Sequence, residues 1–212
     1  MNALFSTFLI LHIVAGTTGL LTGTFNIIGK KGGKVHTMVG KLFLYSMLTV
    51  SASAFVLSVL HPNYFLFIVA VFTLYMVSSG TRYLYLKQLA KGQKPATIDW
   101  LLTYFMLVFG ILFMLFGTYH LIHKNSFGLV FIVFGGIGLR MVQSDFRNFR
   151  GKSKIANVWL ITHIGRMTGT YIAAFTAFLV VNNRVIPSYI AWLLPTVLFL
   201  PLILVWIRKY RK

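Results

Sequence analysis

HIVAGTTGLLTG, residues 12–23, places one histidine and three glycines in a stretch with no Asp, Glu, Lys or Arg. His12, Gly16, Gly19 and Gly23 are separated by four, three and four residues, so all four fall on one stripe of a helix. The uncharged run extends outward over residues 4–28, and about 20 apolar residues already span a bilayer. Such a segment has no polar face to offer water. It reads as a transmembrane helix.

Six similar runs follow, at about 37–60, 64–86, 100–122, 127–144, 159–181 and 188–207. They are joined by KKGGK, HPN, KQLAKGQKPATID, HKNS, RNFRGKSKIAN and NNRVIPS, none long enough to build an extramembrane domain. The chain has 212 residues, 58% hydrophobic and 10% charged, with a mean hydropathy of +0.81. An unclosed sheet edge has no place in lipid, so the expected fold class is all-α, a seven-transmembrane-helix bundle forming a single integral membrane domain over residues 1–212. The start MNALFSTFLIL has no basic n-region and no small-residue cleavage site, so the first run is expected to remain in the mature protein.

The net charge of +18 would suggest nucleic acid if the bases formed one face of a soluble fold, but they sit in short loops. Anionic lipid headgroups are the expected partner, and nucleic acid is not. Fourteen Lys and Arg fall in the first, third and fifth connections and the tail, against Lys124 and Arg184 on the other side. This bias predicts the N-terminus outside and the C-terminus cytoplasmic, with Tyr64, Trp100, Trp159 and Tyr189 near span ends. Small residues mark expected helix contacts: Gly128, Gly135, Gly136 and Gly138 in the fifth span, and Gly165, Gly169, Ala173, Ala174 and Ala177 in the sixth. Pro195 and Pro201 are expected to kink the seventh. No internal repeat of the inverted-transporter kind is visible.

With no cysteine, disulfides, cysteine-ligated iron–sulfur clusters, c-type haem attachment and thiol catalysis are excluded. The chemistry therefore falls to six histidines, two aspartates and the arginines within spans. His36 and His163 are expected near one depth on the cytoplasmic side, with Gly40 one turn after His36. Two such imidazoles on different helices are what axial ligation of haem b requires, and nearby bases could meet its propionates. The stripe of His12 and Gly16 is expected to leave a groove for a flat cofactor, and His12 with His120 offers a weaker outer pair. A second arrangement is a zinc or copper site at the outer face, where His120 and His123 stand at i, i+3 and His12 or His61 would complete the set.

Arg166 lies roughly 10 Å into the sixth span, where a charge costs a few kcal/mol unless it is paired or snorkels. Asp145 is its natural counter-ion and Asp99 the other candidate, while a contact with an anionic group of a ligand is the competing role. Arg82 and Arg140 are expected to meet lipid phosphates. Carboxylates deep in the bundle, usual for proton-coupled transport, are missing, and no lysine precedes Lys209 in the last span to form a retinal Schiff base. A membrane hydrolase would need zinc and a general base, for which acids are scarce.

HIVAGTTGLLTG running into KKGGKVHTMVGK, together with WLITHIGRMTGTYIAAFTAFLVVN, resembles an uncharacterised family of bacterial polytopic membrane proteins, a domain of unknown function. The resemblance covers most of the chain and matches His12, Gly16, Gly23, His36, Gly40 and His163 to motif positions. Thr37 departs from it, because many relatives have arginine after the second histidine. The resemblance implies a bacterial cytoplasmic (inner) membrane and supplies no activity. The expectation is a haem-binding or quinone-linked electron-transfer protein served by a quinone or another membrane redox protein. The other reading is a non-enzymatic accessory or transport protein with structural histidines and no cofactor. Whether the chain is an enzyme is left open.

Overall fold

The structure, a computed structural model, describes residues 3–211, and for residues 188 and 189 it describes the backbone only. The expected place of the Tyr189 ring therefore lies outside the described residues. Seven long helices follow one another: α1 (Ala3–Ile28), α2 (Lys34–Leu60), α3 (Tyr64–Arg82), α4 (Thr97–Ile122), α5 (Gly128–Phe149), α6 (Val158–Asn182) and α7 (Ser188–Tyr210). Two short 3₁₀ turns, Tyr83–Tyr85 and Leu89–Lys91, lie between α3 and α4, and no strand occurs among the described residues. All seven helices are long and apolar enough to cross a membrane, which makes this a multi-pass membrane protein.

The largest departure from the expected spans is α5, which runs to Phe149 rather than 144. Ser144, Asp145, Asn148 and the bases around them look like loop in sequence, but Asp145 and Asn148 are fully buried and turn inward. Their polarity is satisfied inside the bundle, so the helix has no reason to end before them. Where polar residues do face outward they act as stops: the Asn63 side chain accepts from the Leu66 N–H at 3.0 Å to start α3. Asp99 accepts from the Ala96 N–H at 2.8 Å at the start of α4. α7 runs as one helix through Pro195 and Pro201.

α3 is the central post. It packs on α2, α4, α5 and α6, and its Ile68, Val71, Phe72, Tyr75 and Met76 meet Met106 and Phe113 of α4 and Phe131 and Val142 of α5. α6 is the second post, touching α1, α3 and α7. Between α4 and α5 the backbones nearly touch: a Cβ on Gly128 would come within 2.5 Å of the Gly117 carbonyl oxygen. Lipid tails are as apolar as leucine, so close packing of this kind, rather than hydrophobic exclusion, holds spans together. Gly136 and Gly165, expected at helix contacts, have nothing within 4 Å of a built Cβ. Outward faces carry residues such as Leu21, Val59, Leu115 and Val197, as a lipid-facing surface should.

Candidate functional site

The glycine stripe of α1 turns toward α2 and α6, and side chains already occupy much of it. A Cβ on Gly19 would lie 2.1 Å from Cε of Met47, and one on Gly23 would lie 2.4 Å from the Tyr171 ring and 3.0 Å from the Phe43 ring. The open groove expected beside His12 is therefore filled at these two positions, by helix partners rather than by space for a cofactor. Gly16 rests in ordinary contact with Val50. The Ser53 hydroxyl donates to the Thr49 carbonyl, which leaves its oxygen to accept from His12 Nδ1–H at 3.0 Å. His12 thus ties α1 to α2.

Nearer the lysine-rich end, α1, α2, α6 and α7 part around a cavity of about 720 Å³, within the roughly 300–1,000 Å³ typical of small-molecule sites. His36, from the first turn of α2, and His163, one turn into α6, both line it. Gly40 lines the same space. His163 Nδ1–H donates to the Gly80 carbonyl of α3 at 2.8 Å, a bond that leaves Nε2 as the ring's acceptor or ligand atom. Nδ1 of His36 and Oδ1 of Asn26, both buried, have no hydrogen-bond partner. Both atoms are shielded from water, and leaving such an atom unpaired costs about 1–3 kcal/mol, so each is a local cost of packing at the helix ends.

Lysines frame the cavity. Lys31 donates to the carbonyls of Ile27 at 2.6 Å and Gly29 at 2.8 Å, and its Nζ lies 4.8 Å from the Trp206 ring centre. Gly32, at φ +79°, turns the chain immediately after it. Partial burial draws the Lys31 ammonium below its ordinary pKa. Lys87 reaches over Trp159 at 5.6 Å, and Lys41 completes the basic lining.

Arg166 is absent from this lining. It is 4% exposed and packs toward α3 and α5, where Nη2 meets Asp145 Oδ1 of α5 at 2.5 Å. Asp145 also accepts from Tyr75 at 2.7 Å, Tyr83 at 2.6 Å and Thr103 at 3.2 Å, and Asn148 donates to the Tyr83 oxygen at 3.1 Å. The Arg166 guanidinium lies over the rings of Tyr75 and Tyr83, at 4.8 and 5.2 Å. The role expected for Arg166 at a ligand is therefore corrected, because its charge is answered within the protein. The counter-ion role of Asp145 was legible in sequence; Tyr75 of α3, Tyr83 of the turn after it, Thr103 and Asn148 were not. Arg82, expected at lipid phosphate, instead grips Asp99 with two bonds of 2.8 and 3.2 Å. Arg140 is exposed and donates to Gln143.

The outer histidines are not gathered. His61 packs edge-on to Phe5, with ring centres 4.3 Å apart. His120 stacks on Phe131 at 5.7 Å and accepts from Asn125 at 3.3 Å. His123 donates to the Tyr119 carbonyl at 2.8 Å. Among the described residues no three His, Asp or Glu side chains come together as a metal would require, so the expected outer set of His12, His61, His120 and His123 is not assembled.

Seven membrane-length helices, with a cavity lined by histidines and lysines between α1, α2, α6 and α7, define a multi-pass membrane protein with room for a small molecule. The chain matches no known protein family, no curated protein and no solved structure.

Proposed function

We propose that this is a haem-binding or quinone-linked redox protein of a bacterial cytoplasmic membrane, with the cofactor in the cavity between α1, α2, α6 and α7. One observation carries the reading: imidazoles from two helices, His36 and His163, share one end of a cavity otherwise lined largely by apolar and aromatic side chains. The bond from His163 to the Gly80 carbonyl supports it, since a ring fixed through Nδ1 presents Nε2 in one direction, as ligating histidines are usually held. With haem b the two rings are the axial ligands. With a quinone they are the hydrogen-bond partners of its oxygens. The lysine-rich end faces the cytoplasm by the charge bias of the connections, and electrons pass to another membrane redox partner.

The test is the absorption spectrum of detergent-purified protein from cells supplied with haem precursor. A Soret band is expected, lost in His163→Ala and in His36→Ala variants that still elute as folded protein. A colourless preparation that releases quinone on solvent extraction selects the quinone form, and one that yields neither overturns the redox reading. A second reading, a non-enzymatic accessory protein, is favoured by the bonds of His12 to Ser53 and His163 to Gly80, which tie helix to helix. In that case the same variants lose stability and change no spectrum.

A further inference from the structure

The cavity is graded along its length. α6 lines it with two adjacent stripes, Trp159, His163, Met167 and Tyr171 on one and Leu160, Ile164 and Thr168 on the other, running from the N-terminal end of the helix toward its middle over about 18 Å at 1.5 Å per residue. Three cations line the cavity, Lys31, Lys41 and Lys87, and two of them, Lys31 and Lys87, are each held against a tryptophan of the lining. His36, from the first turn of α2, and Asn26, from the last turn of α1, also line the cavity. The far end is closed by Tyr171 and Phe43, packed on Gly23. No acid lines the cavity, and among the described residues both aspartates of the chain are engaged by arginines elsewhere.

Charge, then hydrogen-bonding groups, then apolar wall is the pattern of an amphiphile lying along the helices. We infer that the cavity takes an anionic amphiphile, its carboxylate or phosphate between Lys31 and Lys87, its polar core beside His36, His163 and Asn26, and its apolar end against Phe43 and Tyr171. This rests on the reading of the cavity as a ligand site and narrows it, because a neutral quinone leaves the ammonium charges of the lining without a counter-ion. Two sources supply the chemistry: a porphyrin bearing propionates, or an anionic membrane lipid. Both place negative charge at the same end.

Trp159 and Trp206 line the cavity and report on its contents. Full-length protein in neutral detergent is titrated with haemin, with brominated phosphatidylglycerol and with a short-chain neutral quinone, each followed by quenching of tryptophan fluorescence. At least one anionic probe is expected to bind, with its affinity lowered roughly tenfold in Lys31→Gln/Lys87→Gln and restored in Lys31→Arg/Lys87→Arg. The quinone titration is expected to ignore both changes. Should the glutamine variant fail to fold, salt replaces it: raising ionic strength on the wild type weakens the anionic probe and leaves the quinone unchanged. Haemin binding that is indifferent to the lysines and to salt, or binding of the quinone alone, overturns this inference and leaves the redox reading standing. Lysine-dependent binding of the phospholipid without haemin or quinone sustains it and removes the redox reading. Binding of none of the three overturns both.

Discussion

Asp145 is the residue on which most of the interior polarity depends. Its two carboxylate oxygens accept from Tyr75, Tyr83, Thr103 and Arg166, so one side chain joins α3, the turn after it, α4 and α6 to α5. Removing one member of a buried ion pair leaves an unanswered charge and costs about 3–5 kcal/mol, whereas removing both costs far less than the sum. Arg166→Met and Asp145→Leu are therefore each expected to lower the unfolding midpoint in detergent sharply, with the double variant well above the additive value. The recovery is incomplete, since Tyr75 and Tyr83 then lose their acceptor. Strict additivity of the two losses would show that the pair is not coupled. Sequence exposed the problem, a cation in a span, and named its partner, because the chain has only two acids. It did not expose the tyrosines: in an aromatic-rich membrane chain a tyrosine is as readily interfacial as buried, and only the packing of α3 decides.

At the level of helices, the glycines separate into three kinds that look alike in sequence. Gly128 meets backbone across the α4–α5 contact, Gly19 meets the flexible end of Met47, and Gly16 has ordinary clearance. A methyl group cannot displace a carbonyl oxygen without parting the helices, while it can displace a methionine tip. Gly128→Ala is expected to destabilise by about 1–3 kcal/mol. Gly16→Ala is expected to be close to neutral, and Gly19→Ala to fall between them. Thermal unfolding of the three variants in one detergent checks the order, and a Gly16→Ala loss as large as that of Gly128→Ala would contradict it. The number and type of the helices were legible because apolar runs of bilayer length admit almost no other fold. Their contacts were not: periodicity shows which side of α1 is small, but not that α2 and α6 fill it. For the same reason sequence extended the groove to His12 and Gly16, whereas of its glycines only Gly23 and Gly40 line the cavity.

Across the whole molecule, both aspartates are spent on arginines, Asp99 on Arg82 and Asp145 on Arg166, and most of the remaining bases crowd one end of the bundle, with Lys124 and Arg184 at the other. The pairing of Asp145 with Arg166 reaches beyond the folded state, because a ribosome makes its two members in order. The acid emerges 21 residues ahead of the base, at the end of one hydrophobic segment and shortly before the next. Neither segment passes cheaply into hydrocarbon alone, as a lone charge within a span carries a penalty of about 3 kcal/mol at insertion. Asp145 and Arg166 together are a neutral pair. Nascent chains cut between residues 150 and 157 are accordingly expected to leave their last hydrophobic segment poorly integrated, as read by alkaline extraction, and chains extended past residue 182 to be retained. The ion pair then acts first as a passport into the bilayer, issued to two segments travelling as one.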